Sequence, residues 1–425
     1  MRTLTPSIPR RVLPALTLAG AAALAACSEQ IDVSQSAGST GSGGGASAAT
    51  TAATTAATTT TTSSSIGAGG SIGSGGSIEP LHCEPQDGAI VVGTSYQGSA
   101  IAVLNQGAWG KAAHVVPGAV QTAAYVDVDH QLNVFWVEAA NGVSHAHFTR
   151  TKDGSAFDPH EVLGWQPSAS APLFRAGDYT LIGTDANGTS RAYYDSDAMD
   201  WHVEDSKPLP FTVSSAATLS VFSTVLLGYN DQRDLCDLTI DTGTSPTWGD
   251  AKCHPELHVA TAQEIPSPPP QLVAFPNGGA VAVYFTSYTE LTAVVLHAGE
   301  WSAPVTTKLP DQSLSFAVTS TPSGDVFAGL VLTSEEVVAL RFSPAAGWTA
   351  PITLDTGATT VQRPAAATGV CGDDALFAYS AGGIDGEIRV ARVRGSSSET
   401  TTVAHFTESV PSQLSLATRH VPVAF

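Results

Sequence analysis

One aromatic side chain returns at a near-constant interval along most of this chain. Trp109, Phe157, Trp201, Trp248, Trp301 and Trp348 each follow a turn of small or acidic residues, and the gaps between them are 48, 44, 47, 53 and 47 residues. Between these markers the apolar residues come in short runs of Val, Ala, Leu, Phe and Tyr, broken by Gly, Asn, Asp and Ser, which is the pattern of strands joined by tight turns. A repeat of this length made of four short strands is the unit of a β-propeller blade. A helical bundle is excluded, since Gly (40) and Pro (26) are abundant and no stretch holds a 3.6-residue apolar period.

The second blade is predicted from strands at Ala123–Val128, Asn133–Glu138, Val143–Thr149 and Phe157–Leu163. The fifth and sixth share a further echo, Gly299-Glu300-Trp301-Ser302-Ala303-Pro304 against Gly347-Trp348-Thr349-Ala350-Pro351. Placed at the start of each outer strand, the aromatic should pack between neighbouring blades, where a large rigid apolar group contributes most. A seventh copy, from Gln362 to Phe406, has Thr400–Thr402 in the aromatic's place, so the fold is expected to be all-β with about seven four-stranded blades, six or eight being the alternatives. The first copy has little room for a good innermost strand, whereas the tail Ser412–Thr418 looks like one. The tail is therefore expected to complete blade one and seal the ring, removing an exposed sheet edge.

The N-terminus carries an address. Arg2, Arg10 and Arg11 precede an apolar stretch from Val12 to Ala23, the layout of an export signal and too short to cross a bilayer. The tetrad Leu24-Ala25-Ala26-Cys27 resembles the bacterial lipobox. That resemblance implies a signal peptide over residues 1–26, lipidation of Cys27 and, with Ser28 rather than Asp following, an outer-membrane lipoprotein. Loss of the three arginines deepens the formal charge from -20 to -23, so the domain should stand off an anionic bilayer. Residues 27–78 are almost wholly Ser, Thr, Ala and Gly, a composition that does not bury enough apolar surface to order itself. They are expected to form a tether with a reach of roughly 40 Å, leaving 79–425 as the propeller, a monomer.

With Cys27 lipidated, Cys83, Cys236, Cys253 and Cys371 remain, an even number in an exported protein. Cys236 and Cys253 should face each other across a hairpin of blade four. Cys83 and Cys371 fall on one face of adjacent blades and would clasp the ring.

The turns before several outer strands resemble the Asp-box of sialidase-like propellers: Thr151-Lys152-Asp153-Gly154-Ser155-Ala156-Phe157, then Ser196, Asp197 and Trp201, then Thr239, Asp241, Gly243, Thr247 and Trp248. In that family the box is a structural clip, so the resemblance implies fold and no catalysis. The family's Phe/Tyr-Arg-Ile-Pro string is missing, the nearest strings being Leu173-Phe174-Arg175-Ala176 and Gln362-Arg363-Pro364. Arg175, Arg191, Arg233 and Arg363 fall near strand ends and are expected as solvent-exposed turn residues rather than an axial cluster.

Asp127-Val128-Asp129-His130 and Asp185-Ala186-Asn187-Gly188 could supply calcium ligands, but the same residues make tight hairpins, and the turn is preferred. His145 and His147 share a strand face without a visible third zinc ligand, and are taken as packing or surface. No metal or cofactor is expected. Five scattered lysines exclude a nucleic-acid surface. The turns holding Asn141, Asn187, Arg233 and Tyr288 should share one face of the ring, as a ligand rim or as plain surface. The expected function is a non-catalytic, envelope-anchored binding propeller for a glycan or protein. The alternatives are a glycan-active enzyme using an acidic axial pocket and an outer-membrane assembly scaffold.

Overall fold

The computed structural model describes residues 89–418, leaving out 96–97, 106–107, 111–113, 117–118, 127–130, 141–142, 152–155, 160, 169–172, 176–179, 196–199, 221, 242–246, 261–267, 276–277, 322, 358–364, 370–373 and 384. These residues form seven antiparallel sheets in a closed β-propeller, with no helix among them. From the axis outward, blade two runs Ala119–Val126, Leu132–Ala140, Val143–Thr151 and Glu161–Val162, and the other blades repeat that order. In each blade the turns between first and second strands lie on one face of the ring, called here the lower face. Those between second and third strands lie on the opposite, upper face.

Blade one closes as the tail predicts. Its innermost strand is Gln413–Thr418, paired antiparallel with Ala89–Ser95 from Ala89↔Thr418 to Thr94↔Gln413. The chain's two described ends therefore meet at one point of the lower face.

Each recurring aromatic packs into the boundary between its own blade and the preceding one: Trp109 between seven and one, Phe157 between one and two, and so on to Trp348 between five and six. Burial of a large ring at every boundary is what makes the period visible. Two indoles also donate across the gap, Trp301 Nε1 to Asp237 (2.8 Å) and Trp348 Nε1 to the Val305 carbonyl (3.0 Å). At the boundary between six and seven the ladder puts Ser398, opposite Val393, where the other blades carry the ring, and not Thr400–Thr402 as the sequence suggested; two residues on, the Thr400 hydroxyl donates to the Leu354 carbonyl (3.2 Å).

The predicted outer strands differ in detail. Phe157–Leu163 is not one strand: only Glu161–Val162 pairs, because Pro159 has no N–H to give the ladder. In blades one, four, five and six the aromatic sits in a two-residue strand, and the chain breaks before pairing with the third strand again, as at Glu300–Trp301 and Val305–Lys308.

Small polar side chains on the innermost strands join one blade to the next. Ser415 Oγ accepts from the Ala124 amide (2.7 Å), Ser215 Oγ from the Leu272 amide (3.0 Å), and Ser320 Oγ donates to the Ala274 carbonyl (2.6 Å). Gln271 both donates to Phe316 O (2.7 Å) and accepts from the Val318 amide (3.0 Å). These hydroxyls and amides satisfy backbone groups of the neighbouring innermost strand.

Cys236 and Cys253 are bonded, directly opposite each other in the ladder with a Cα separation of 4.1 Å. Replacing both by Ser should lower stability by about 3 kcal/mol, the chain-entropy value for a loop of this size. Urea melts of the double variant under non-reducing conditions would measure it. Cys27, Cys83 and Cys371 lie outside the described residues.

Candidate functional site

The upper face brings three of the four rim residues onto successive blades. Asn187, Arg233 and Tyr288 occupy the second-to-third-strand turns of blades three, four and five. Asn141 lies outside the described residues, in the turn joining Leu132–Ala140 to Val143–Thr151 in blade two.

The blade-three turn is held by Asp185. Its Oδ1 accepts from the Asn187 and Gly188 amides (2.7 and 3.1 Å) and its Oδ2 from Ser206. One carboxylate oxygen is thus used within the hairpin, and the other on Ser206, beyond the outer strand Asp200–Val203. Gly188 is needed at φ 138°, where a Cβ would lie 2.2 Å from the Lys207 carbonyl oxygen. Asn187 stands exposed at the tip. No group of three or more His, Cys, Asp or Glu able to hold a metal occurs among the described residues.

Blade four supplies the most organised group on this face. Arg233 sits at φ 67°, its amide donating to Asn230 O (3.0 Å) and its carbonyl accepting from the Val259 amide (2.8 Å). Asn230 Oδ1 accepts from the Asp234 amide (2.9 Å), which fixes the next residue. The same turn recurs in blade six with Glu335 at φ 70°, so the conformation belongs to the scaffold and only the side chain is particular. The Arg233 guanidinium lies 4.8 Å from the centre of the Tyr229 ring, a cation–π contact that holds a flexible side chain in place. Among the described residues no carboxylate pairs with it. Its N–H groups therefore form a pre-positioned donor fork at the rim. Tyr288, 40% exposed, follows on the next blade. Below the turn, the Cys236–Cys253 bond ties the third strand to the outer one.

Two polar clusters between blades were not legible in the sequence, because their members come from separate repeats. Between four and five, Asp237 Oδ1 accepts from Trp301 and lies 2.7 Å from His254 Nε2. Nearby, burial and then the Glu256 charge push the Tyr284 phenol up to about 12. Between six and seven, Asp355 Oδ2 accepts from Tyr379 Oη (2.7 Å) and Arg389 (2.7 Å), and Arg389 Nε also donates to Glu387 (2.9 Å). Burial alone would raise the Asp355 carboxyl. The Arg389 and Tyr379 hydrogen bonds, the Arg389 charge and the Thr356 amide outweigh it and hold the group below its ordinary value. With every member paired, the cluster is a structural lock at the one boundary that lacks its aromatic ring.

A carboxyl held down in the folded state stabilises the fold above the unfolded-state value, and that contribution is lost as pH falls. Stability should therefore drop below about pH 4, and Asp355→Asn should remove part of that slope in melts between pH 6 and pH 3.

Other sequence expectations are settled differently. Arg191 is not a solvent-exposed turn residue: it is 2% exposed on the third strand of blade three, bidentate to Glu204 through Nε (3.1 Å) and Nη2 (2.5 Å). A β-strand alternates its side chains between faces, so position near a strand end did not decide exposure. Arg175 ends the innermost strand of blade three, and Arg363 lies outside the described residues. His147 is buried and stacks on Trp136 with ring centres 5.2 Å apart. Asp127–His130, Asp153 and Asp197 lie outside the described residues. The acidic axial pocket of the enzyme alternative is not built by the innermost strands. Their described residues, TVSSAATLS in blade four and SLSFAVTS in blade six among them, include no Asp or Glu.

No protein-family model and no curated protein sequence matches the chain. Among solved structures it is similar to the BP39L lectin from Burkholderia pseudomallei, with a TM-score of 0.53 and 13% identity over 75% of this chain and 95% of that one. The Aleuria aurantia lectin in complex with Fucalpha1-6GlcNAc gives a TM-score of 0.45 and 12% identity over 68% of this chain and 96% of that one. AofleA from Arthrobotrys oligospora gives 0.48 and 11%, over 71% and 90%. At such identities the likeness is one of fold, and it places this chain among proteins built on a β-propeller.

Proposed function

We propose that this chain is a non-catalytic glycan-binding propeller, displayed from the bacterial outer membrane by a lipid on Cys27 and the Ser/Thr-rich tether. The observation that carries the binding assignment is Arg233: a guanidinium stacked on Tyr229 at the rim, without a carboxylate partner among the described residues. A rigid donor fork of this kind suits the paired hydroxyls of a sugar, and neighbouring Asp231 and Tyr288 add acceptor and apolar surface. With few basic residues in the chain, a neutral glycan is favoured over an acidic one. The axis-lining Ser, Thr and Ala offer no acid–base pair, which favours binding over hydrolysis. A lectin is among the solved structures of similar fold, which supports the reading without deciding the sugar.

A glycan array with residues 79–425 tests it. Binding to neutral glycans is expected, and Arg233→Ala should weaken it by at least about tenfold, the loss typical of a central binding residue, while the melting temperature holds. An array without a single bound glycan would refute the assignment and leave a protein ligand in its place.

A further inference from the structure

Each blade ends on an outer strand with a free edge, and most of these edges are cut short. In blades one, four, five and six the outer strand is broken after the aromatic, while blade two pairs only Glu161–Val162 and blade three only Asp200–Val203. Pro159, Pro255, Pro304 and Pro351 stand in or beside four of them, where a residue without an N–H hinders the pairing of a further strand. Blade seven is the exception among the described residues. Its outer strand Ser397–His405 runs nine residues without Pro or Gly, pairs with Glu387–Arg394 alone, and is regular from Ser397 to Thr402 before a shift at Val403. Ser397 to Thr401 are all exposed, so both faces of the run meet solvent. A Thr-rich run with one charge, Glu399, is the kind of edge to which a further strand adds readily.

The two ends of this blade carry opposite charge. At the lower end Asp374 Oδ2 accepts from Arg392 Nε and Nη2 (3.0 and 2.7 Å) and from Arg394 Nε (2.9 Å). Two guanidiniums on one carboxylate leave a net positive charge, and the Arg394 side chain is 65% exposed. At the upper end Asp385 and Glu408 are both exposed, the Glu408 amide donating to Asp385 Oδ1 (2.8 Å), which makes that end negative. A second copy of the same strand, laid antiparallel, sets the lower end of each blade beside the upper end of the other, and does so twice.

We propose that two copies of this chain pair antiparallel through the outer strand of blade seven, joining two four-stranded sheets into one across a two-fold axis. With Thr400 on the axis, Ser398 faces the partner's Thr402 and Glu399 faces the partner's Thr401, so no two like charges stand directly opposite. Arg394 then approaches the partner's Asp385 and the partner's Glu408. An acidic domain resists self-association, but screening over about 8 Å at physiological ionic strength leaves the nearest groups to decide, and here those are of opposite sign. The dimer departs from the monomer expected from the sequence, in which the state of each blade edge is not legible. Blade seven lies three places around the ring from blade four, so the pairing leaves Arg233 uncovered, and the two-fold axis turns the two rims to opposite sides. On the glycan-binding reading given above, the dimer is bivalent and bridges two ligand-bearing surfaces; the pairing itself does not depend on that reading.

The test is sedimentation velocity over a concentration series of residues 27–425, with Cys27→Ser to keep the chain free of lipid. A monomer–dimer equilibrium is expected. Arg394→Glu, and separately Glu408→Arg at the far end of the strand, should each weaken the dimer by at least about tenfold, since each sets like charges together at both ends of the interface. The double variant Arg394→Glu/Glu408→Arg should regain it. Within one chain the two positions lie at opposite ends of the blade, so the recovery reports a contact between chains. A chain that stays monomeric up to roughly 0.1 mM, where small transient interfaces still associate, would overturn the pairing. So would a dimer that neither single variant weakens, or one that the double variant does not restore. Glycan binding is read separately on the array, and its failure would remove the bridging role while leaving the pairing in place.

Discussion

A chain ending at Glu408 should lose its cooperative melt. The strand Gln413–Thr418 does more than cover an edge. It pairs with Ala89–Ser95 along six positions, sends Leu416 into the boundary between blades seven and one, and sends Ala417 into that between one and two. Ser415 receives the Ala124 amide, the Ser412 amide donates to Thr94 O (2.6 Å), and Thr418 meets Thr368 (3.2 Å). Without the strand, Ile90, Val91 and Val92, now fully buried, would border an open ring with an unpaired edge. Two of seven boundaries would loosen at once, against a net stability of about 5–15 kcal/mol for a typical domain. Scanning calorimetry of the truncated chain should show no sharp transition, and a peptide of residues 409–425 added in trans should restore part of it. A truncated chain that melts at the full-length temperature would mean that the ring closes in another way.

Glu204→Ala should cost about 3–5 kcal/mol, the range for leaving a buried charge without its partner. Arg191 is the case in point: it is 2% exposed, makes two hydrogen bonds to Glu204, and its Cζ lies 4.8 Å from the Tyr193 ring centre. Removing the carboxylate strands the guanidinium between blades three and four, where Glu204 is the acid paired with it among the described residues. The pair itself contributes little net stability, because both charges were taken out of water to form it. Arg191→Met combined with Glu204→Leu should therefore recover most of the loss in chemical denaturation. If the single variant is as stable as wild type, the arginine has another outlet to solvent.

How far the sequence reached can be judged residue by residue. Trp301 and Trp348 betrayed their boundaries because each blade needs a large ring at the same place, which turns a three-dimensional requirement into a linear period. Cys236 and Cys253 were legible because a hairpin makes their separation local. Arg191 was not, since its exposure depended on which face of a strand met blade four. The Asp355, Tyr379 and Arg389 lock was hidden for a related reason: residues 24 and 34 positions apart meet only once two blades are packed.

The recurring aromatic, the turn residues and the incomplete first copy determined by themselves that the chain would form a ring of β-blades sealed by its own tail, because strand and turn propensities act over a few residues and repeat. Which polar groups stand free at the rim and which are consumed in locks was decided only by the tertiary structure. Packing of one blade on the next sets burial and pairing, and those set whether an arginine such as Arg233 is available to a ligand or, like Arg389, is spent on holding the ring together.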